Sequence, residues 1–540
     1  MRKSRRLLLT LTLLLLAAAL TLSGCRSAEA ELSNIQPTSD KFRTYYQIFP
    51  YSFADSNSDG IGDIQGIIDK LDYIEGLHYD GLWLTPVHKS PSYHKYDVTD
   101  YCSIDPEFGT MEDYDRLVSE CHRRGMTILV DLVYNHTALD NPWFEKCAHA
   151  RMRGNTDDPY YNYYNFEEIR SENDIKGGWS RYQNTNWAYE CQFYSGMPDL
   201  NLQNVIDEPE GYLAAELAEI MRFWLVDHDV DGFRLDAVTF YFSGMQEENL
   251  AFLTWLNDTA KAFKPDCYIV GEGSWENPSE NQRYQESGID SFFAFQHGKN
   301  ANGTLSYAVR MEKAAYLGLI DQNDVEIAGP GIPAVFIANH DTARAYGISM
   351  AAIDPDNLKE MYGLLAMSYG AIFGYYGDEV GMSVVAAGNS EKSYIDEDRR
   401  QPMPWGDSYQ CKPVAHSTNA ADGEKYPLGT VADQLKDDGS LLKYVARANA
   451  IRRSFPQIAR YPAQTVYVND YRDLCVVSKG EGQEKIYIVW NASSTASRTF
   501  NTSELGKVTL AATLSTGEAP KYSGETLTIP AKSFAILIVE

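Results

Sequence analysis

Short apolar segments that end in polar or charged residues recur along the chain, and helical patterns separate them. Near-continuous apolar strands that alternate with helices predict a parallel sheet that is covered on both faces. Eight such segments predict an α/β fold of the (β/α)8 TIM barrel class, and a doubly wound open sheet is the alternative. The eight predicted strands are 45–49, 81–86, 127–136, 231–238, 267–272, 291–295, 334–341 and 371–379.

Two stretches depart from this alternation and predict further domains. Residues 137–204, after the third strand, are rich in Tyr, Asn, Asp, Gly and Trp and lack clean periodicity. Such a stretch is expected of an inserted subdomain that lies over one end of the barrel. Residues 461–540 contain alternating segments such as KIYIVWNA and predict a C-terminal antiparallel β-domain. The barrel itself is therefore expected to comprise 41–136 and 205–460.

The first 24 residues predict an export signal, because the basic stretch MRKSRR precedes an apolar run at 7–22. That run is short for a bilayer span, which disfavours the alternative of a transmembrane anchor. The LSGC sequence that ends at Cys25 resembles the lipobox of bacterial lipoproteins. This resemblance implies cleavage before Cys25, lipidation of that cysteine and a polar tether over 25–40. We therefore expect an extracytoplasmic protein that only its lipid anchor attaches to a bacterial cell membrane.

The charge balance of the chain is strongly acidic. The sequence has 47 basic and 75 acidic residues, and its net charge is −28. Removal of the four basic residues of the signal leaves a net charge of −32. Nucleic acid is therefore not an expected partner, because phosphate binding requires a basic surface. The seven cysteines besides Cys25 form no CxxC pair, which argues against a zinc site.

Carboxylates lie where three of the predicted strands end. Asp236 ends GFRLD, Glu272 ends YIVGE and Asp341 ends FIANHD. Each alone would be interpreted as the cap of the following helix. In barrels of this class, however, catalytic groups project from the carboxyl ends of the strands. Three acids at one barrel mouth, with Arg234 and His340 beside them, predict a catalytic site.

Four segments carry a resemblance to a known family. DLVYNH, GFRLDA, VGEGSW and ANHDTAR resemble, in the correct order, the hallmark segments of the α-amylase family of glycoside hydrolases, glycoside hydrolase family 13. MPDLN at 197–201 resembles its fifth segment, in a form similar to branches intermediate between oligo-1,6-glucosidases and neopullulanases. The resemblance covers the chain from about Phe42 onward. It implies that Asp236 is the nucleophile, Glu272 the general acid/base and Asp341 the transition-state stabiliser.

The same resemblance implies further substrate-binding residues. His136 and His340 match the sugar-binding histidines of the family, and Tyr96 in SYHKYDVTDY matches the tyrosine that stacks on the sugar. The chemistry independently requires one ionised carboxylate and one protonated carboxyl group. Arg234 is expected to lower the pKa of Asp236, since a nearby cation favours the ionised form. Apolar surroundings and neighbouring acids are expected to keep Glu272 protonated.

The loop DSNSDGIGD at 55–63 has the oxygen-rich composition of a calcium site. Its acids, Asn and Gly fit the first half of an EF-hand, but Gly66 stands where the closing Glu is needed. The loop resembles the calcium loop of oligo-1,6-glucosidase-like enzymes, and an Asx-turn without metal is the alternative. A second calcium site common among α-amylases is not predicted, because Phe240 stands in place of a ligand histidine. The resemblance implies five Ca²⁺ ligands: Asp55, Asn57, Asp59, the carbonyl of Ile61, and Asp63.

Substrate preference depends on Tyr93, three residues before Tyr96. Exo-acting α-glucosidases of the neighbouring branch have an Asp there that binds the terminal sugar, whereas YHKY resembles the YHGY of α-amylases. We therefore expect a retaining endo-type hydrolase of α-1,4 bonds in starch or malto-oligosaccharides. A 4-α-glucanotransferase and a neopullulanase- or cyclomaltodextrinase-like enzyme are the alternatives. A catalytically inactive glucan-binding lipoprotein is the alternative from another class, and the three intact carboxylates disfavour it.

Overall fold

The computed structural model describes residues 32, 35–298, 303–383, 396–414 and 425–540. The predicted signal and Cys25 lie outside the described residues. Residues 35–40, the end of the predicted tether, lie against the barrel: the Thr38 backbone N–H donates to Asp80 (2.9 Å) and Arg460 pairs with Asp40 (2.6 Å). Across these described ranges, no helix has the length and apolar character needed to cross a bilayer.

The central element is a barrel of eight parallel strands, which confirms the predicted fold class. The strands pair in the order β6-β5-β4-β3-β2-β1-β8-β7. A parallel bridge between Phe293 and Ala334 joins the two ends of this sheet and closes the barrel. The strands are β1 (Thr44–Ile48), β2 (Gly81–Leu84), β3 (Thr127–Leu132), β4 (Gly232–Leu235), β5 (Tyr268–Gly271), β6 (Ser291–Phe292), β7 (Ala334–Phe336) and β8 (Ala371–Tyr375).

Aromatic side chains fill the interior of the barrel. Because successive residues of a strand face opposite sides, alternate residues of each strand point inward. Tyr45 of β1 stacks between Phe373 of β8 and Tyr268 of β5, with ring centroids 4.7 Å and 5.4 Å away. Trp83 of β2 and Phe293 belong to the same buried cluster. The interior is thus a packed core, and it forms the floor beneath the polar groups at the strand ends.

Helices cover the outside of the barrel, and their sequences explain their positions. The helix after β2, Met111–Arg123, begins at a capping box in which the Thr110 and Asp113 side chains bond to each other's backbone N–H groups. Its buried residues, Tyr114, Leu117, Val118 and Cys121, recur every three or four positions and pack on the sheet. The other α-helices outside the insertion are Ile64–Asp69, Leu71–Gly76, Leu202–Asp207, Tyr212–Arg222, Gln246–Phe263, Pro278–Tyr284, Thr304–Arg310, Tyr316–Ala328, Ala345–Ile348, Asp356–Ala366, Asp396–Arg399, Val431–Gln434, Leu441–Ser454 and Gln457–Arg460.

The insertion after β3 has structure of its own. It contains the helix Pro142–Arg153 and a small antiparallel sheet of Phe166–Glu168, Trp187–Glu190 and Trp179–Arg181, in that order. A bridge between His136 and Asp199 ties its end back to the segment that follows β3. The insertion therefore borders the carboxyl end of the barrel.

The C-terminal region forms the predicted antiparallel β-domain. Trp490 and Phe534 stack with ring centroids 5.6 Å apart, and the Trp490 Nε1–H donates to buried Glu360 of a barrel helix (2.9 Å). One sheet pairs Gln464–Val468, Leu474–Lys479, Ile486–Asn491, Ser533–Val539 and Val508–Ser515 in that order, and a second pairs Arg498–Asn501, Thr526–Ile529 and Lys521–Ser523.

Candidate active site

Arg234 is the centre of the polar group at the barrel mouth. Its side chain lies in β4 and is fully buried. Nη1 donates to Asp131 Oδ1 at 2.9 Å and to Asp236 Oδ1 at 2.7 Å, and Nη2 donates to Glu272 Oε2 at 2.9 Å. One guanidinium therefore holds three carboxylates from the ends of three adjacent strands, with the geometric specificity that a planar fork provides.

Asp236 immediately follows β4, and its backbone N–H donates to Leu132 O at 3.0 Å. Burial raises the pKa of Asp236, while the charges of Arg234 and Arg400 work to lower it. The expected contact with Arg234 is present, but the pKa of Asp236 is raised overall, contrary to the expectation from sequence. The reason is that a buried carboxylate loses hydration that one shared guanidinium does not replace.

Glu272 is held by three donors at the end of β5. Besides Arg234, the backbone N–H of Ala237 donates to Oε2 at 2.8 Å and Trp275 Nε1–H donates to Oε1 at 3.0 Å. Burial raises the pKa of Glu272, and the negative charges of Asp236 and Asp341 raise it further against the opposing effect of Arg234. A carboxyl group that retains its proton in this way suits a general acid.

Asp341 has a separate set of partners. Arg400 Nη2 donates to its Oδ1 at 2.8 Å, and His340 Nε2 lies 2.9 Å from its Oδ2. Burial works to raise the pKa of Asp341, but His340, Arg400 and Arg234 outweigh it and hold the pKa well below the usual range. Asp341 is therefore ionised, whereas Glu272 favours its protonated form.

His340 and Tyr96 lie side by side next to Asp341. Their rings are parallel, with centroids 5.4 Å apart, and the Tyr96 hydroxyl lies 2.6 Å from His340 Nε2. Gln47 Nε2 lies 2.7 Å from His340 Nδ1. The Gln47 amide can only donate through this nitrogen, so His340 Nδ1 is the acceptor and the ring proton is assigned to His340 Nε2. Burial lowers the pKa of His340, which keeps the imidazole neutral. The Tyr96 hydroxyl also donates to Asp131 at 3.1 Å and so joins the two halves of the site.

His136, which follows β3, has an unsatisfied nitrogen. Its ring is buried, and its Nε2 has no hydrogen-bond partner among the described residues. Burial lowers the pKa of His136 to about 4, so the ring is neutral at ordinary pH. An unpaired buried polar atom costs about 1–3 kcal/mol. A hydrogen-bonding group of a ligand would supply the missing partner.

Sequence reasoning missed three residues that contact this group. Arg400 also donates to the His340 carbonyl through Nε (3.2 Å) and to the Tyr93 hydroxyl through Nη1 (3.1 Å). Gln47 and Trp275 complete the set. The paired arginines of EDRRQP, in a polar loop after the eighth strand, were the available signal for Arg400.

Asp131, the first residue of DLVYNH, lies in β3 and had no role predicted from the sequence. It is fully buried and accepts hydrogen bonds from Arg234 and from Trp83 Nε1–H (3.2 Å). Burial raises its pKa to about 7, against the opposing charge of Arg234. Through its contacts to Arg234 and the Tyr96 hydroxyl it helps to position the group that also holds Asp236 and Glu272.

The loop at 55–63 is ordered by its own side chains. Asp55 accepts the Ser58 and Gly60 N–H groups at 2.6 and 2.7 Å. Asp63 accepts Gly66 N–H at 2.7 Å and caps the helix that follows. The donor types suit Ca²⁺, which prefers carboxylate, amide and carbonyl oxygens. Within the ranges described, no three His, Cys, Asp or Glu side chains form a group that could hold a metal ion.

All seven cysteines of the described ranges carry free thiols. They are Cys102, Cys121, Cys147, Cys191, Cys267, Cys411 and Cys475.

Comparison with known proteins is consistent with this geometry. The family profile of the alpha amylase catalytic domain matches residues 47–461. Alpha-amylase 3 of Dictyoglomus thermophilum is 34% identical over 373 residues, which are 68% of each chain. Oligo-1,6-glucosidase of Parageobacillus thermoglucosidasius is 28% identical over 83% of this chain and 89% of its own. The structure of Eubacterium rectale Amy13B superimposes with a TM-score of 0.84 at 33% identity, covering 95% of this chain and 99% of that one. The chain therefore belongs to the α-amylase family and is a glycoside hydrolase.

Proposed function

We propose that the protein is a retaining, endo-acting hydrolase of α-1,4-glucosidic bonds in starch or maltodextrins. The observation that carries this proposal is that two of the three carboxylates share Arg234, whereas the third has other partners. One guanidinium binds both Asp236 and Glu272, while Asp341 is bound separately by Arg400 and His340. In retaining glycosidases the two reacting carboxyl groups lie about 5–5.5 Å apart. A shared guanidinium fork favours such a short separation.

The proposed reaction uses each carboxylate in its own protonation state. Asp236 attacks the anomeric carbon and forms a glycosyl ester, while Glu272 gives its proton to the departing 4-oxygen. Glu272, now ionised, takes a proton from a water molecule that attacks the same carbon and releases the Asp236 carboxylate. Ionised Asp341 stabilises the positive charge that develops on the sugar ring in both steps. His136, His340 and Tyr96 bind the sugar in the cleaved position.

The surroundings of Tyr93 support an endo mode of action. Its hydroxyl accepts from Arg400, and its ring packs against Phe49 and Tyr51 with centroids 5.9 and 5.7 Å away. A phenol at this position offers no carboxylate to bind the terminal glucose of a chain. We therefore expect the cleft to accept chains that continue past the cleaved unit.

The relatives include proteins named alpha-amylase and oligo-1,6-glucosidase, so product analysis must separate these modes. Amylose, maltotriose and pullulan should be digested, with products followed over time. Early release of mixed malto-oligosaccharides from amylose supports endo-hydrolysis. Release of glucose alone would favour an exo-glucosidase, products longer than the substrate a glucanotransferase, and panose from pullulan a neopullulanase.

We also propose that Ca²⁺ binds at 55–63 through the side chains of Asp55, Asn57, Asp59 and Asp63 and the Ile61 carbonyl. The backbone of this loop is joined to the segment that carries Arg400: Asp55 N–H donates to Tyr409 O (3.0 Å) and Lys412 N–H donates to Gly60 O (2.9 Å). The bound ion would supply charge neutralisation among the three carboxylates, which is a structural role.

For location, we propose that lipidated Cys25 holds the enzyme at the outer side of a bacterial cell membrane. Starch is too large to enter a cell, and a surface-held enzyme keeps its products close. Cys25→Ser in the native host should release the protein into the medium, while the wild type sediments with membranes. Equal release of both proteins, or a mature N-terminus other than residue 25, would contradict the anchor and leave the enzymatic proposal intact.

A further inference from the structure

A cavity of about 320 Å³ lies at the end of the barrel opposite the candidate active site. Thr44, the first residue of β1, lines it, whereas Asp236 and Glu272 come directly after the last residues of their strands. Gln36 and Thr38, from the end of the predicted tether, form another wall. A volume of this size is at the lower end of the range for small-molecule sites. The cavity therefore has room for a small ligand that the catalytic site does not involve.

Three arginines line this cavity, in a chain whose net charge is −28. They are Arg452 and Arg453, in the last turn of a barrel helix, and Arg460. Arg460 is neutralised by Asp40, because the Asp40 carboxylate lies 2.6 Å from its Nε. Among the described residues, no carboxylate lies within hydrogen-bond distance of either of the other two arginines. The cavity wall therefore carries positive charge that hydrogen-bonded acids do not offset.

Arg453 has nitrogens that are available to an anion. Its side chain is only 6% exposed, yet Nη1 and Nη2 have no hydrogen-bond acceptor in the described part of the chain. Its Nε donates to the Gln36 carbonyl (3.2 Å) and lies 3.8 Å from Asp80. The Asp80 oxygens already accept the N–H groups of Thr38 (2.9 Å) and Thr44 (2.8 Å). A buried cation without acceptors is costly, so a ligand that supplies them is bound favourably.

Arg452 contributes a second buried charge to the cavity. It is 2% exposed, and its Nη groups donate to three neutral backbone carbonyls, those of Ala366, Ser368 and Gly370. Its Nε has no partner among the residues that the structure describes. Burial lowers the pKa of Arg452 to about 10, which leaves it charged at neutral pH. An anion would thus be the first charged partner that this guanidinium binds directly.

The donors on the cavity wall select a class of ligand. Guanidinium groups match the geometry of phosphate oxygens and bind them through charge-assisted hydrogen bonds. The side chains of Thr38 and Ser39 also line the cavity, and their hydroxyl groups both donate and accept, as the hydroxyls of a polyol require. A phosphate ester of a small polyol, such as glycerol phosphate, combines the two features.

We propose that this cavity binds the phosphate group of a polyol phosphate, with Arg452 and Arg453 as its ligands. The inference is independent of the glucan that the catalytic site takes. Two sources supply this chemistry, a free phosphate ester and the headgroup of a membrane lipid. The second source rests on the proposed anchor, because the ten residue steps from Cys25 to Ile35 can span at most about 33–36 Å. A bound headgroup would then turn the catalytic mouth away from the membrane.

The test titrates the wild-type protein with glycerol phosphate at constant ionic strength and follows heat of binding and melting temperature. Glycerol phosphate should raise the melting temperature, whereas glycerol with sodium chloride should not. Arg453→Gln should bind it at least about tenfold more weakly, because a charge-assisted hydrogen bond is lost. Arg453→Lys keeps the charge without the fork and should bind with intermediate affinity. The matched control is Arg283→Gln, because Arg283 forms an exposed ion pair with Glu247 (2.7 Å) and should bind like the wild type.

No effect of glycerol phosphate on the wild type, or equal binding by Arg453→Gln and the wild type, would overturn the site. If Arg453→Gln does not fold, Arg453→Lys decides: weaker binding than the wild type supports the site, and equal binding overturns it. Activity on maltoheptaose should be the same in all folded variants, so failure of this site is distinguishable from failure of the proposed hydrolytic function.

Vesicles of phosphatidylglycerol distinguish the two sources of the ligand. Cys25→Ser, which lacks the proposed anchor, is sedimented with these vesicles. Sedimentation that both added glycerol phosphate and a further Arg453→Gln change reduce supports the headgroup as the ligand. No sedimentation, with binding of glycerol phosphate retained, supports a free phosphate ester in the same cavity. Sedimentation that persists fully in Arg453→Gln overturns the headgroup as the ligand.

Discussion

Arg400 offers a direct test of how the site is assembled, because sequence reasoning did not identify it. Arg400→Met removes hydrogen bonds to the Asp341 carboxylate (2.8 Å), the Tyr93 hydroxyl (3.1 Å) and the His340 carbonyl (3.2 Å). Methionine keeps much of the apolar volume of the side chain but has no charge and no donor. The variant therefore isolates what the guanidinium contributes to Asp341.

The magnitude follows from these contacts. The bond between Arg400 and Asp341 joins two charged groups and is worth about 1.5–3 kcal/mol, which corresponds to about 10- to 150-fold in kcat. The lost positive charge should also raise the pKa of Asp236 further, because Arg400 is one of the charges that work to lower it. Asp236 must be ionised to attack the sugar, so the acidic limb of the pH profile should move to higher pH.

The assay measures kcat and KM on maltoheptaose from pH 4 to 8, with circular dichroism and a melting curve to verify the fold. Arg400→Lys keeps the charge without the fork and should show the smaller shift of the acidic limb. Arg283→Met is the matched control, because Arg283 forms an exposed ion pair with Glu247 (2.7 Å). A folded Arg400→Met enzyme with kcat within about twofold of the wild type and an unchanged pH profile would refute the reasoning.

Three further predictions concern the nucleophile, the acid/base and the loop at 55–63. Asp236→Asn should abolish turnover and preserve the fold, and residual activity above about one per cent would count against its role as nucleophile. The raised pKa of Glu272 should keep the enzyme active above the usual range of a glutamic acid, with activity lost as pH rises through that pKa; a Glu272→Gln variant that kept the same basic limb would contradict this. Chelator should lower the melting temperature of the wild type but not that of Asp59→Ala. Equal lowering would place the metal elsewhere, and no lowering of the wild type would leave only the Asx-turn.

The fold was predictable because its signal is local and repeated. Each barrel strand carries an apolar run, and each of the eight predicted runs overlaps a strand of the barrel. The ends of the strands were less predictable. The third and seventh runs extend to His136 and Asp341, but β3 ends at Leu132 and β7 ends at Phe336. The last residues of both runs lie beyond the sheet, at the barrel mouth. Hydrogen bonds such as that from Asp341 N–H to Asn339 Oδ1 (2.9 Å) fix their conformation.

The proximity of Asp236, Glu272 and Asp341 was predictable because each follows a barrel strand. Contacts that loops bring to these carboxylates were less predictable. Arg400 comes from a loop without periodicity, and only the closed barrel brings it to Asp341. Whether the pKa of Asp236 is raised or lowered depends on how deeply its carboxylate is buried. The sequence showed only the nearby Arg234, whose positive charge lowers that pKa.

The central claim is that Asp236 and Glu272 cleave α-glucosidic bonds with retention. Proton NMR of the first products of maltoheptaose digestion tests it most directly, because the anomer formed at the new reducing end appears before mutarotation. Double displacement through a glycosyl ester on Asp236 predicts that the α-anomer appears first and the β-anomer grows in later. Initial formation of the β-anomer, or no cleavage of maltoheptaose by the folded enzyme, would contradict the account.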